Sequence, residues 1–136
     1  MSLTELLLAL CIMAILLLLA LPTAQNGLDI VNVRAARETA FALATRTRSV
    51  ALARGGAEIV FDSASRKAQI IASDGVIVET ASFTDYDIAL QGAPSPIVLR
   101  YDTRGIGRMA SRTIRFVRGD AEAGLTFSSY GRVRRW

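Results

Sequence analysis

The chain opens on sixteen consecutive apolar residues, Leu6 to Leu21, with a single carboxylate, Glu5, at their N-terminal edge. A run of this length suits a membrane-crossing helix, which takes roughly 20 residues per bilayer core. A charge carried into the apolar layer costs about 2.5–3.5 kcal/mol at a helix centre and marks a functional position. Glu5 therefore needs a compensating group, and the nearest is the α-amino group of Met1, on this or a neighbouring copy. Pro22 removes a backbone donor and predicts a local kink or melting, which Gln25–Asn26–Gly27 prolong. Beyond that zone Val33, Ala36, Ala40, Leu43/Ala44 and Val50/Ala51 recur at three- and four-residue steps. Arg34, Arg37/Glu38, Thr45 and Arg48 lie on the other side. This pattern predicts an amphipathic helix from about residue 28 to residue 53, stopped by Gly55–Gly56. Together the two halves span roughly 75–80 Å at 1.5 Å per residue.

After Gly56 the period shortens. Ala57–Asp62 and Ala68–Ser73 flank a turn at Ser65–Arg66. Asp74–Gly75 is a hairpin signal leading into Val76–Phe83. Gly92–Ala93–Pro94–Ser95–Pro96 reads as a loop. Ile97–Asp102, Thr113–Val117 and Leu125–Val133 complete the set. Ile114 and Phe116 share one face while Arg115 takes the other, and Leu125 pairs with Phe127 in the same way. Alternation of this kind predicts half-buried antiparallel strands. The expected architecture is α+β: a hydrophobic helical segment at 1–27, an amphipathic helix at 28–56, and an antiparallel β-sheet head at 57–136.

Composition narrows the chemistry. The chain of 136 residues has no histidine and one cysteine, Cys11, inside the apolar run. Histidine-based triads, histidine general bases and zinc or thiol chemistry are thereby set aside, and no enzymatic activity is expected. No intramolecular disulfide can form, so the head must hold together by packing. No cofactor is expected. Asp85-Tyr86-Asp87 lacks the spacing of a calcium loop and reads as solvated loop. Gly105-Ile106-Gly107 precedes no helix and is not a dinucleotide fingerprint. Charge is uneven: residues 1–99 sum to −2 and residues 100–136 to +6. All but one of the basic residues are arginine, a planar fork suited to carboxylate and phosphate. The C-terminal third therefore suits an anionic partner.

The N-terminal pattern resembles that of mature type IV pilins and pseudopilins. Ser2, Leu3, Thr4 and Glu5 match in register, the apolar run follows, and Pro22 falls where many pilins carry proline. Met1 departs from the usual phenylalanine. No basic leader region precedes the run, and a leader ending in glycine is expected to have been removed. Near the other end, Tyr101-Asp102-Thr103-Arg104-Gly105 looks like the Arg-Gly loop of the branch holding the type II secretion H pseudopilin and the FimT minor pilins. Gly131-Arg132-Val133-Arg134 looks like that branch's terminal Gly-Arg-x-Arg signature.

The resemblance implies a subunit anchored in the inner membrane by a single span, its head in the periplasm. It is processed and methylated by a prepilin peptidase, then assembled with other pilin subunits into a pilus or a periplasmic pseudopilus. Assembly would rest on Met1, Glu5 and Pro22, with Glu5 pairing to the neighbour's Met1 and setting register. In DNA-uptake members the Gly-Arg-x-Arg motif contacts DNA, which implies Arg132 and Arg134 here. Read from the residues alone, an extended tail sets Tyr130, Arg132, Arg134 and Trp136 on one side and Val133 on the other, with Arg135 adding charge nearby. Two guanidiniums interleaved with two aromatics suit phosphate pairing and base stacking. The same residues equally suit an arginine-blunted edge strand or an inter-subunit ion-pair surface. Three readings stand: filament subunit, DNA-binding tip pilin, and secretion pseudopilin.

Overall fold

A computed structural model describes residues 2–92 and 95–136. Met1 lies outside the described residues, and with it the expected pairing to Glu5; so do Ala93 and Pro94 of the expected loop. Helix α1 runs unbroken from Leu3 to Arg54 and ends at Gly55, which adopts the left-handed conformation at φ 74°. It passes through Pro22 and through Gln25–Asn26–Gly27 as helix, so of the kink or melting expected there the melting does not occur. Proline removes one backbone bond, and the leucines and alanines before it are strong enough helix formers to carry the helix across the gap.

What changes along α1 is exposure rather than backbone. From Leu3 to Leu28 every residue is exposed. From Val33 onward one stripe is buried: Val33, Ala36, Ala40, Leu43, Ala44, Thr47 and Ala51. The buried Thr47 hydroxyl donates to the Leu43 carbonyl at 2.7 Å, so no polar group is stranded in the stripe.

Eight strands follow: β1 (Ala57–Asp62), β2 (Lys67–Ala72), β3 (Ile77–Ser82), β4 (Ala89–Gln91), β5 (Ile97–Tyr101), β6 (Arg112–Arg118), β7 (Ala121–Phe127) and β8 (Val133–Arg135). They form two antiparallel sheets and not the single one expected, in the orders β3-β2-β1-β5 and β4-β6-β7-β8. Both sheets lean on α1. Phe61 of the first and Phe127 of the second meet at 6.0 Å between ring centroids, in the tilted geometry that aromatic pairs prefer. Phe83 and Phe116 make a similar pair at 5.6 Å. The expected continuous strand Leu125–Val133 is split by a turn into β7 and β8. The short β4 was not foreseen.

Contacts with α1 give the head two ends, one against Arg48 and Leu52 and one against Asp29. At one end, near Arg54, lie the start of β1, the end of β5 with the loop after Tyr101, and the β7–β8 turn. At the other, near Asp29, lies the β6–β7 turn at Gly119–Asp120. There Arg118 ties Asp29 at 2.7 Å and also donates to the Tyr86 carbonyl.

Candidate functional site

The β7–β8 hairpin is built by Ser128-Ser129-Tyr130-Gly131. The Gly131 amide donates to the Ser128 carbonyl at 2.9 Å, and Gly131 sits at φ 82°. A Cβ there would lie 2.6 Å from the Tyr101 ring and 3.0 Å from the Gly107 nitrogen, so both backbone angle and space call for glycine. The Gly107 amide in turn donates to the Tyr130 carbonyl at 3.0 Å.

The loop after β5 is folded around Asp102. One carboxylate oxygen accepts the Arg104 and Ile106 amides, each at 2.9 Å, and the other lies 3.4 Å from the Arg108 guanidinium. The Ile106 amide leads the groups that hold the Asp102 carboxyl below its usual range. Gly105 packs over Arg48 and Leu52 of the helix. The Arg-Gly loop and the Gly-Arg-x-Arg motif are thus one surface at the Arg54 end of the head.

Pairing of Thr126 with Arg134 and of Leu125 with Arg135 fixes which side each tail residue takes. Arg134 shares the outward face with Thr126. Trp136 exchanges backbone hydrogen bonds with Gly124 at 3.0 and 3.1 Å, and its indole covers Gly124 and donates to the Thr126 hydroxyl at 3.2 Å. Arg115 lies over the indole at 5.9 Å. Arg132 precedes β8 in the turn, where it lines a groove against α1 beside Arg48 and Val133, apart from the face that Arg134 and Trp136 share.

Two expectations are corrected. Tyr130 is not part of an extended strand; it sits at the hairpin tip, 79% exposed. Arg135 does not add to the outward charge. It faces the helix, pairs with Glu38 at 2.9 Å and stacks 4.6 Å from the Phe41 ring centroid. Glu38 also accepts from Arg37 at 2.8 Å, and Arg37 reaches the Trp136 main-chain oxygen at 3.1 Å. Hydrogen bonds from Arg37 and then Arg135 hold the Glu38 carboxyl below its usual range.

At the other terminus Glu5 closes a capping box. The Ser2 amide donates to the Glu5 carboxylate at 2.8 Å, and the Glu5 amide to the Ser2 hydroxyl at 3.3 Å. The Ser-x-x-Glu spacing carries this signal in the sequence. Pro22 lies mid-helix on the exposed apolar half. No group of three or more metal-ligating side chains occurs among the described residues.

No family model matches the chain, and no curated protein matches it. Among solved structures, the type IV minor pilin FimU of Pseudomonas aeruginosa is similar at a TM-score of 0.63 and 18% identity. The match covers 76% of this chain and 87% of that one. The chain has a type IV pilin fold. Within that pilin fold, α1 is long and apolar enough to cross a membrane, and none of its most apolar stretch is buried. The paired motifs lie at the far end of the head from that stretch.

Proposed function

We propose that the chain is a structural, non-enzymatic subunit of a type IV pilus-like filament. The observation that carries this reading is the exposed half of α1. Leu6 to Leu21 present apolar side chains on all sides with no cover from the head, while the same helix continues as the spine of the folded core. An all-apolar helix needs lipid or other apolar helices around it. The bilayer supplies the first before assembly, with the head in the periplasm and a prepilin peptidase acting on the N-terminus. Neighbouring subunits supply the second in the filament. Glu5, capped on Ser2, keeps a carboxylate at the tip of that helix for the neighbour's terminal ammonium. The test is mass spectrometry of filaments sheared from the native cells. Recovery of the chain in them supports the reading. Retention in the envelope with none in the filaments would overturn it in favour of a periplasmic secretion pseudopilin.

A second reading, DNA contact by a minor subunit, draws support from the outward face. Arg134 shares that face with Trp136, Arg132 lies in the turn before it, and among the described residues neither arginine pairs with a carboxylate. With Arg135 committed to Glu38, two phosphate contacts remain. The salt slope of log affinity is then about −1.8. A slope near zero, or binding that survives Arg132→Ala with Arg134→Ala, would exclude this reading.

A further inference from the structure

A groove of about 180 Å³ runs between α1 and the β8 turn, lined by Phe41, Arg48, Tyr101, Gly131, Arg132 and Val133. Its two cations, Arg48 and Arg132, make no ion pair among the described residues, unlike most arginines of the head. Tyr101, part of its wall, is only 4% exposed, and its hydroxyl is buried without a hydrogen-bond partner among the described residues. A buried unpaired hydroxyl is costly, and this one lies in the wall behind the groove. Two unpaired guanidiniums lining one small groove suit a carboxylate.

The opposite end of the same head carries that chemistry. Arg118 gathers Asp29 and the Tyr86 loop, which brings Asp85, Asp87 and Asp120 to one end. Asp29 is matched by Arg118 and Asp87 by Arg66, while Asp85 and Asp120 are exposed and have no ion pair among the described residues. We propose that the Arg48–Arg132 groove is a receptor for the Asp85/Asp120 end of a second copy of this chain, stacking heads end to end along the filament. The contact joins two different patches and does not close on itself, which is the geometry that propagates a helical polymer. It rests on the filament reading above and adds to it a register between heads that the apolar helices do not provide.

The test uses the full chain in its native cells. Arg48→Glu with Arg132→Glu is expected to lower recovery in sheared filaments about tenfold, since like charges then face each other. Adding Asp85→Arg with Asp120→Arg to the same chain is expected to restore it. A second measurement does not depend on the yield of the reversed variant. In a Cys11→Ala background, Tyr130→Cys with Asp120→Cys is expected to give a ladder of covalent oligomers when wild-type-like filaments are oxidised, and either cysteine alone none. Absence of the parent chain from filaments overturns both readings. Its presence, with normal yield from the reversed variant and no ladder, overturns this inference alone. Normal yield with loss of DNA binding would also overturn it and give the groove to nucleic acid.

Discussion

Arg135 and Glu38, 97 positions apart in the chain, meet at 2.9 Å and tie the last strand to the helix. β8 has three residues and lies at a sheet edge, so backbone pairing alone holds it weakly. The tie is completed by Phe41 under the Arg135 guanidinium and by Arg37 on the Trp136 main chain. Because Glu38 titrates below its ordinary value of 4.5, the contribution of this tie is fully present above that pH. It drains as pH falls from there through the lowered value.

That sign gives an optical readout, because Trp136 is the sole tryptophan. Its emission is expected to shift to the red as pH drops below about 4.5, as β8 loosens and the indole leaves Gly124 and Thr126. Arg135→Ala is expected to be red-shifted already at neutral pH and flat across the same window. A variant with unchanged emission would show that the tie does not hold the strand.

The sequence carried the helix stripe, the Gly55 stop and the hairpin at Asp74–Gly75 because each is a local, periodic signal. It did not carry the Arg135–Glu38 pair, since no local rule relates residues at that separation. The β7–β8 turn was missed for a different reason. Gly131 was read as part of a motif, and Ser128-Ser129-Tyr130 lacks the Asn-Gly or Asp-Gly chemistry of the commonest tight turns. Local melting at Pro22 does not occur because a long run of strong helix formers opposes the backbone defect of one residue. The outward placement of Arg134 and Trp136 was legible because strand alternation fixes it once pairing exists. The opposite placement of Arg135 follows from the same rule, but its partners on α1 do not.

Gly131 should be hard to replace, for two independent reasons. Gly131→Ala combines a left-handed backbone angle, costing about 1–2 kcal/mol, with a Cβ driven into the Tyr101 ring and the Gly107 backbone. Overpacking of that kind adds about 1–3 kcal/mol. Gly124→Ala also meets a ring, that of Trp136, but this indole is half exposed at the end of the chain and can move away. Denaturant midpoints should therefore fall clearly for Gly131→Ala and much less for Gly124→Ala. The reverse order would contradict the packing described for the turn.

Phe127 joins the two sheets through Phe61, and both are fully buried. Phe127→Ala is expected to cost about 3–5 kcal/mol, within the range for large aromatic deletions. Phe127→Leu keeps most of the volume and should cost less than half of that. The check is chemical denaturation followed by circular dichroism. Equal losses for the two variants would mean that ring pairing, and not volume, governs the contact.

Glu5 has two roles that a single substitution can separate. As the third residue of the capping box it accepts the Ser2 amide, and glutamine does this as well as glutamate. As a charge at the tip of an apolar helix it can pair with a neighbour's ammonium, and glutamine cannot. Glu5→Leu removes both functions, so a filament defect in that variant alone would leave them confounded. Glu5→Gln keeps the cap and removes the charge. If the charge sets register between helices, Glu5→Gln should lower filament recovery nearly as far as Glu5→Leu, because either change leaves the partner ammonium unpaired in an apolar layer, a loss of about 3–5 kcal/mol. If the cap alone matters, Glu5→Gln should assemble like the parent chain, while Ser2→Ala should fail. The head is remote from Glu5, so its thermal unfolding should be the same in all these variants. Parent-level recovery of Glu5→Gln filaments would remove the ion pair from the account of assembly and leave Glu5 as a helix cap.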